Sequence, residues 1–529
     1  MNVVIRDWPK ERIYFVLIIL FSIPVFLLNL GSPAFIEDES IRGLVALEME
    51  LSGNFIAPTL NGEYYFKKPP LWNWILIGFF NLTGDTNEFS ARLATLLFLY
   101  LFGLSIYITF KRHLPEKQAI LNALLFLTCG RILFWDSLLA LIDLCFSWVI
   151  FMLFIWIYEQ HRRSRYLSLY LGAYAIATIA FMLKALPALV FLGFTLLAVQ
   201  INAGTWKKLF SWQHFAGIGL FVSALSGYLL LYNQYFPIEN LLSVFVDEST
   251  QRTAIEYGFL NSLMQVFTFP VEMIYHFLPW SLICLLFFSK HAFKRIKQQA
   301  FVSFLALTFA ANIWIYWTSP EVFPRYLFML TPLYFGVGIY LYQDGLSKFF
   351  KRCFDISMLL LGCIVCFGSA IVLFVEPTKS MAGLWWKWGV PFSIMLCFLF
   401  IMFKQPNYRI LAFVAFLVAA RLGFDLIVLP SRGVHSELVQ TRADAVRIGE
   451  KWHDEQLYLY RYDSMKYEAS FYLTATRKQI LHHTPELIPG AYHLVNPLRY
   501  PILISQHQKI DSLKISRPED KAYLIHIPQ

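Results

Sequence analysis

Charged residues are scarce in this chain of 529 residues. Asp, Glu, Lys and Arg make up 15% of it and 57% of the residues are hydrophobic, whereas a soluble globular protein carries about 25% charged residues. Apolar runs of about 16 to 22 residues recur over the first four fifths of the sequence. This composition excludes an ordinary soluble domain and is typical of a polytopic α-helical membrane protein, because a bilayer span needs roughly 20 apolar residues.

Cysteine is also scarce, with seven residues, none of them after Cys397. No disulfide can therefore form within the remainder of the chain. Cys363 and Cys366 lie inside an apolar run, where small buried side chains are a simpler interpretation than a redox or metal pair. The chain also lacks a long internal repeat, which an inverted-repeat transporter would show as corresponding broken segments in its two halves.

Apolar runs predict about 13 transmembrane helices. They are 12–30, 91–110, 118–134, 138–158, 166–183, 185–200, 213–232, 268–289, 299–318, 325–344, 354–375, 388–403 and 410–428. The first run could also be read as a cleaved signal peptide, but the many later runs favour an uncleaved span. The run 69–84 is short, and we predict that it is a helix lying at the outer surface.

Seven basic clusters between the runs predict the orientation. Cytoplasmic loops carry the excess of Lys and Arg, so the N-terminus is expected in the cytoplasm and the C-terminus outside. This topology explains the net charge of +9 without a nucleic-acid partner. The predicted domains are a membrane domain, 1–428, with a first outer loop, 31–90, and an outer soluble domain, 429–529. Short β-rich or alternating runs in the tail, such as ASFYLTA, YPILISQ and KAYLIHI, predict a small α/β domain.

The first outer loop opens with three carboxylates, Glu37, Asp38 and Glu39. The stretch after them, SIRGLVALEMELSG, predicts an imperfectly amphipathic surface helix that ends at Gly53. A turn-forming Asn61-Gly62 pair, aromatic residues, two lysines and a double proline follow. From charge alone, the triplet could be a solvated flank of the first span.

The segment EDESIRGLVALEMELSGNFIAPTLNGEYYFKKPPLWNW resembles the first-loop signature of the bacterial aminoarabinose transferase family. These are lipid-linked glycosyltransferases of the membrane GT-C type, related to protein O-mannosyltransferases. Weaker similarities follow in ALIDLCF, MLKALPALV, FVDESTQR, SPEVFPRYLFMLTP and, in the tail, YDSMKYEASFYL. The second of these departs from the family pattern at Ala185 and Leu186. The resemblance implies a GT-C fold with about 13 spans and an outer soluble domain, in agreement with the topology from charge.

The resemblance also implies a function. The chain would transfer a sugar from a polyprenyl-phosphate (undecaprenyl-phosphate) donor, with inversion, to an acceptor at the periplasmic face of the bacterial inner membrane. The expected acceptor is lipid A or another lipid or glycan. The alternatives are a protein O-mannosyltransferase-like enzyme acting on Ser/Thr and a transporter or flippase of lipid-linked sugars. A transporter would place charged residues deep in mid-span, whereas here they gather at the outer ends of spans.

The family motifs assign roles to individual residues. Carboxylates can deprotonate an acceptor, orient it or hold a metal, and cations stabilise a leaving phosphate. The expected catalytic residues are Asp38, Glu39 and Asp143; the donor phosphate-binding residues are Lys68, Lys184, Arg252 and Arg325; the substrate-loop residues are Tyr64, Tyr65 and Glu248. No cofactor is firmly implied, and a divalent metal at Asp38 and Glu39 is an open alternative.

Several of these residues also have purely structural interpretations. Lys68 could extend to the membrane interface, and Lys184 could mark a span boundary. Glu248 and Arg252 have the i,i+4 spacing of a helix-surface ion pair.

Overall fold

The computed structural model describes residues 10–239, 259–319, 322–344, 348–461, 465–515 and 521–528. Within these ranges the chain is mostly α-helical, because a lipid-embedded segment must satisfy its backbone hydrogen bonds internally. The first helices are α1 (Lys10–Leu27), α2 (Asp38–Ser52), α3 (Leu71–Thr83), α4 (Glu88–Lys111), α5 (Glu116–Leu127), α6 (Gly130–Phe134), α7 (Asp143–Arg162), α8 (Tyr166–Lys184), α9 (Pro187–Asn202) and α10 (Trp212–Tyr232). The next are α11 (Phe259–His276), α12 (Ala292–Gln298), α13 (Ala300–Trp317), α14 (Thr331–Asp344), α15 (Lys348–Gly368), α16 (Leu384–Lys404), α17 (Arg409–Gly423) and α18 (Leu429–His435).

The chain is a multi-pass membrane protein. Eight helical segments of the described residues are long and apolar enough to cross a bilayer, or nine if α5 and the segment Gly130–Leu138, bent by 44°, form one span. The eight are Glu88–Lys111, Asp143–Arg162, Tyr166–Lys184, Trp212–Tyr232, Ala300–Trp317, Lys348–Leu373, Leu384–Lys404 and Pro406–Val434. The count of about 13 stays a prediction.

Two of the predicted runs are divided in the structure. The run 268–289 is interrupted at Pro279, between α11 and a 3₁₀ segment, Trp280–Phe288. The run 325–344 begins with a 3₁₀ turn, Pro324–Leu327, before α14. Both interruptions depart from the regular α-helix inside an otherwise apolar run, which is tolerated where the segment is covered by protein or lines a cavity.

The first loop contains α2, a short hairpin and α3. Strands β1 (Thr59–Leu60) and β2 (Glu63–Tyr64) pair antiparallel around Asn61 and Gly62. Both turn residues have positive φ, 52° and 76°, as a two-residue type I′ turn requires. Helix α2 ends at Gly53, whose φ is 69°, so the predicted helix end and the predicted turn are both confirmed.

The tail forms a five-stranded sheet with flanking helices, which confirms the predicted α/β domain. The sheet order is β4-β3-β5-β7-β6, with β3 parallel to β4 and β5 and the other pairs antiparallel. Its elements are α19 (Glu437–Lys451), β3 (Leu457–Tyr460), α20 (Tyr467–Arg477), β4 (His482–Thr484), β5 (Tyr492–Val495), α21 (Pro501–Gln506), β6 (Lys509–Lys514) and β7 (Lys521–His526). The span Pro406–Val434 continues past the predicted boundary at 428.

The tail docks on the first loop through α20. The rings of Phe471 and Phe35 meet edge to face, with centroids 4.7 Å apart. The Tyr472 hydroxyl donates to Glu88 Oε1 (2.6 Å) and accepts from the amide of Phe35 (2.9 Å). The tail therefore contacts the chain on both sides of α2, the helix that begins at Asp38.

Candidate active site

Five separate parts of the sequence meet around one cavity of about 200 Å³. They are the start of α2, the segment after β2, the start of α7, the end of α8 and the 3₁₀ turn Pro324–Leu327. The cavity is lined by Asp38, Ile41, Arg42, Tyr65, Lys67, Lys68, Leu141, Ile142, Asp143, Lys184, Arg325 and Tyr326. Six predicted site residues, namely Asp38, Tyr65, Lys68, Asp143, Lys184 and Arg325, are therefore brought together.

Local sequence explains why the charged groups stand where they do. Asp38 and Asp143 lie in the first turns of α2 and α7, where the helix dipole favours negative charge. Lys184 lies in the last turn of α8, where the dipole favours a cation. Ala185 follows it with a φ of 57° and turns the chain sharply into α9.

Arg325 connects the two aspartates. Its Nη2 lies 3.2 Å from Asp38 Oδ2, and its Nε lies 3.5 Å from Asp143 Oδ2. Lys184 Nζ lies 2.6 Å from Asp143 Oδ1 and 3.8 Å from the centre of the Tyr326 ring. Because a buried carboxylate needs such partners, Asp143 is fixed between two cations.

The two aspartates differ in exposure. The Asp38 side chain is 48% exposed, whereas that of Asp143 is 11% exposed. Arg325 reaches Asp38 with one guanidinium nitrogen, which leaves carboxylate surface open to the cavity. Asp38 can therefore contact a bound molecule, while Asp143 is held by protein cations and sets the position of Arg325 and Lys184.

The lysines after the hairpin have a different environment from Lys184. Lys67 is exposed and Lys68 is half-buried, and both line the cavity. Lys68 Nζ donates to the carbonyl of Lys67 at 3.0 Å. Both lysine side chains therefore stand at a partly exposed part of the cavity wall, where a cation can meet an anionic ligand.

Two charged lining residues, Lys67 and Arg42, are not among the predicted site residues. Lys67 precedes Lys68 in the KKPP motif, so the same motif could have identified Lys67 as a site residue. Arg42 stands four residues after Asp38 on α2, a spacing that puts two side chains on the same helix face. Its Nη1 donates to the Tyr65 hydroxyl at 2.9 Å, and both side chains are buried.

Glu39 is directed away from the cavity. Its two oxygens accept from Arg92 Nε (2.9 Å) and Nη2 (3.0 Å). Oε1 also accepts from the amide of Ala140 at 2.7 Å, and Oε2 from the amide of Ile36 at 3.2 Å. Glu39 thus joins the start of α2 to the segment that leads into Asp143. It is a positioning residue, because its carboxylate does not face the cavity.

A metal held jointly by Asp38 and Glu39 does not fit this arrangement. All of the short contacts of Glu39 go to Arg92 and to backbone amides, so binding a metal would leave the buried Arg92 without its partner. In the described part of the chain, no group of three His, Cys, Asp or Glu side chains could hold a metal ion. A metal at this site stays a prediction from the sequence.

Tyr64, another predicted site residue, lies outside the cavity lining. The Tyr64 hydroxyl donates to the carbonyl of Tyr235 (3.2 Å), and its ring packs on Phe236 with centroids 4.3 Å apart. Glu248 and Arg252 lie outside the described residues.

Comparison with known proteins gives this geometry a context. Over 97% of this chain and 99% of that chain, the fold matches the crystal structure of ArnT from Cupriavidus metallidurans bound to undecaprenyl phosphate, with a TM-score of 0.71 and 18% identity. The apo structure of the same protein matches with a TM-score of 0.70.

This chain has the fold of the aminoarabinose transferases. The predicted GT-C fold class is thereby confirmed, with its membrane helices and its sheet-containing tail.

Sequence comparisons agree with the fold. A family described as dolichyl-phosphate-mannose-protein mannosyltransferase matches residues 67–229. The undecaprenyl phosphate-alpha-4-amino-4-deoxy-L-arabinose arabinosyl transferase 1 of Pseudomonas fluorescens is 26% identical over 397 residues, covering 71% of this chain and 65% of that protein. An uncharacterized protein of Aquifex aeolicus is 25% identical over 430 residues, covering 79% of this chain and 81% of its own length. These similarities confirm the predicted resemblance and the expected class of enzyme, a glycosyltransferase.

Proposed function

We propose that this protein transfers a sugar from a polyprenyl-phosphate donor, undecaprenyl phosphate in a bacterial inner membrane, to an acceptor at the periplasmic face. One observation carries the proposal: Asp38, a partly exposed carboxylate, shares a cavity with Lys67, Lys68 and Arg325. This combination suits a reaction in which an acceptor oxygen attacks a sugar carbon while a lipid phosphate leaves.

The donor phosphate would bind the cations on the cavity wall. Lys67 and Lys68 come from the first loop, and Arg325 comes from the turn before α14. As the bond from the anomeric carbon to the phosphate oxygen breaks, negative charge builds up on the phosphate. Preorganised cations in a partly dry site stabilise that charge, and removing one such group costs about 3 kcal/mol of transition-state stabilisation.

The lipid tail of the donor has an adjacent apolar cavity. It has a volume of about 240 Å³ and lies between α11, α13, α14 and the 3₁₀ segment Trp280–Phe288. Leu327 lines it, two residues after Arg325 and in the same 3₁₀ turn. A polyprenyl phosphate could therefore place its head at Arg325 and its first isoprene units against Leu327, Phe277 and Trp317.

Asp38 would act on the acceptor. If the acceptor is a hydroxyl, Asp38 takes its proton as the oxygen attacks the anomeric carbon. If the acceptor is a lipid A phosphate, the attacking oxygen is already anionic near neutral pH, and Asp38 orients it or a neighbouring group. Attack opposite the leaving phosphate inverts the anomeric configuration.

The acceptor we propose is lipid A or another lipid or glycan, because the named relatives are aminoarabinose transferases. A third cavity, of about 550 Å³, opens beyond the start of α2 and includes Arg432, Trp135 and Ile36 in its wall. It offers room and a cation for an acceptor head group near Asp38. Transfer to protein Ser/Thr is the second candidate, favoured by the mannosyltransferase family match.

The test compares wild type with Asp38→Asn and with Glu37→Gln as a matched control. Glu37 is the exposed neighbour of Asp38, so the control removes the same charge one residue away. Each purified protein is incubated with labelled polyprenyl-phosphate sugars and with lipid and protein fractions of a Gram-negative membrane, with and without chelator. We expect transfer by wild type and Glu37→Gln and a loss of at least about 100-fold in Asp38→Asn.

Other outcomes would redirect the proposal. Equal transfer by wild type and Asp38→Asn would exclude Asp38 as the reacting carboxylate. Label in a protein fraction would favour the Ser/Thr alternative, and loss with chelator would establish a metal. If no protein transfers sugar but vesicles without acceptor move lipid-linked sugar across the bilayer, the protein is a transporter.

A further inference from the structure

The first-loop hairpin is fastened to α2 by a buried carboxylate that is not among the predicted site residues. Glu48, on α2, is fully buried. Its Oε2 accepts from Thr59 Oγ1 (2.7 Å) and from the amide of Gly62 (3.1 Å), and its Oε1 accepts from the amide of Asn61 (2.6 Å). All three donors belong to the hairpin, two of them to its turn and one to β1.

These hydrogen bonds pair the two backbone amides of the turn, which have few other acceptors within reach. Asn61 and Gly62 both have positive φ, and their amides point away from the strand ladder towards Glu48. Hydrogen bonds to a charged acceptor are the stronger kind. An ionised Glu48 therefore fixes the turn more firmly than a neutral side chain would.

The same helix holds the hairpin at a second point. Arg42 donates to Tyr65, the residue directly after β2, and the amide of Tyr65 donates to the carbonyl of Pro58 at 2.8 Å. Only Phe66 separates Tyr65 from Lys67 and Lys68. The segment from the turn to the two lysines is therefore short. Glu48 holds it at the turn, and Arg42 holds it at Tyr65.

We propose that Glu48 is a positioning residue: its carboxylate fixes the Asn61-Gly62 turn and so places Lys67 and Lys68 for the phosphate of the donor. This inference rests on the proposed function for its ligand. The anchoring itself is a property of the hairpin and can be measured without turnover.

The geometry makes the anchor sensitive to pH. Burial raises the pKa of Glu48 to about 7, against the opposing effect of its hydrogen bonds from Thr59, Gly62 and Asn61. If Oε2 is protonated, it donates one hydrogen bond and becomes a poor acceptor, so the amide of Gly62 loses its partner. The hairpin then loosens below about pH 7, and the affinity for the donor falls.

Other titratable groups near the turn need their own control. His482 of β4 covers Gly62 so closely that a side chain at position 62 would collide with its ring, and an imidazole ring can carry a charge. Glu63 in the hairpin is exposed, and Arg42 on α2 is paired with Tyr65. The variants His482→Gln and Glu63→Gln therefore serve as matched controls.

The experiment measures two quantities from pH 5.5 to 8.5 in wild type, Glu48→Gln and both controls. The first is the hydrogen-exchange protection of backbone amides in residues 59–68, corrected for intrinsic exchange. The second is KM and kcat for a polyprenyl-phosphate sugar. In wild type and the controls, we expect protection to increase and KM to fall as pH rises through about 7. In Glu48→Gln, both should be independent of pH, with KM raised about tenfold at pH 8 and kcat less affected, as for loss of one charged hydrogen-bonding group.

A milder variant covers the case in which Glu48→Gln fails to fold. Thr59→Val removes one donor to the carboxylate, which raises the pKa of Glu48 further, so the transition should move to higher pH. If Glu48 had only a structural role, Thr59→Val would lower the free energy of unfolding without moving this transition to higher pH. Equal pH dependence in wild type, Glu48→Gln and Thr59→Val would overturn the inference, as would loss of the transition in His482→Gln alone. If the exchange data agree but wild type transfers no sugar, the anchor stands and the proposed function fails.

Discussion

Glu39 and Arg92 form a fully buried ion pair with two parallel hydrogen bonds, 2.9 and 3.0 Å long. Asp38, the adjacent residue, faces a cavity and meets Arg325. Successive residues of an α-helix point about 100° apart, so two neighbouring carboxylates have separate surroundings. One stabilises the junction of α2 with the segment before α7, and the other is available for chemistry.

Replacing Glu39 should mainly affect stability. Glu39→Gln leaves Arg92 buried without its charge partner, and breaking such a pair costs about 3 to 5 kcal/mol. Thermal unfolding of the purified protein in detergent should show a clearly lower midpoint, whereas Asp38→Asn should unfold close to wild type. Part of the loss should be recovered in the double variant Glu39→Gln with Arg92→Met, because an apolar replacement removes the orphaned charge. An unchanged midpoint in Glu39→Gln would contradict the structural role.

Lys68 and Lys184 should respond differently to loss of charge. Lys68→Met should raise KM for the donor about tenfold or more with little change in unfolding, since Lys68 lies half-buried at the cavity wall. Lys184→Met should lower the unfolding midpoint, because Lys184 neutralises the buried Asp143 at 2.6 Å. Steady-state kinetics and thermal unfolding of the two variants, measured side by side, test the distinction. Matching effects of both variants on KM and on unfolding would refute it.

Contacts of the tail should matter for transfer. Tyr472→Phe removes the hydroxyl that joins Glu88 to the amide of Phe35 and so loosens the docking of α20 beside α2. We expect a several-fold lower kcat/KM and a less stable protein, since leaving buried polar groups unpaired costs about 1 to 3 kcal/mol. Tyr523→Phe, in strand β7, is the control with the same chemical change. Wild-type kinetics in Tyr472→Phe would show that the tail only covers the site.

The free energy of unfolding should vary with pH because of Glu48. Its folded pKa of about 7 lies above its unfolded value of about 4.3, so the folded state binds the extra proton between these pH values. The stabilisation relative to Glu48→Gln is fully present below about pH 4.3 and is lost as pH rises to 7, by up to about 4 kcal/mol. Unfolding midpoints of both proteins from pH 5 to 8 should converge or cross with rising pH. A constant difference would contradict the raised pKa.

Ionisation of Glu48 thus lowers the free energy of unfolding and at the same time holds the turn more firmly. Ionising Glu48 costs desolvation free energy while strengthening the hydrogen bonds to Asn61 and Gly62. Functional sites commonly combine a local energetic cost with better positioning. The two pH measurements, hairpin protection and global unfolding, should therefore change in opposite directions.

Some features followed from the sequence because they depend on local pattern. Long apolar runs predicted membrane helices, Asn61-Gly62 predicted the turn, and the first-loop motif predicted the fold class. Positive φ at Gly53 and in the turn is a property of the residues themselves. The motif residues Asp38, Lys68, Asp143 and Arg325 were predicted separately, and the fold brought them to one cavity.

Other features depended on the tertiary structure. ASFYLTA has the composition of a strand but forms part of helix α20, because its aromatic residues Phe471 and Tyr472 pack on the first loop. The sequence could not distinguish Asp38 from Glu39, since the buried partner of Glu39 is Arg92, 53 residues away. Likewise, the sequence does not distinguish Glu48 from the other acidic residues of α2, because its hydrogen-bond partners belong to the hairpin. Sequence determines which segments are helical and which carry charge, but only packing between distant segments decides which charges are paired in the core and which face the cavity.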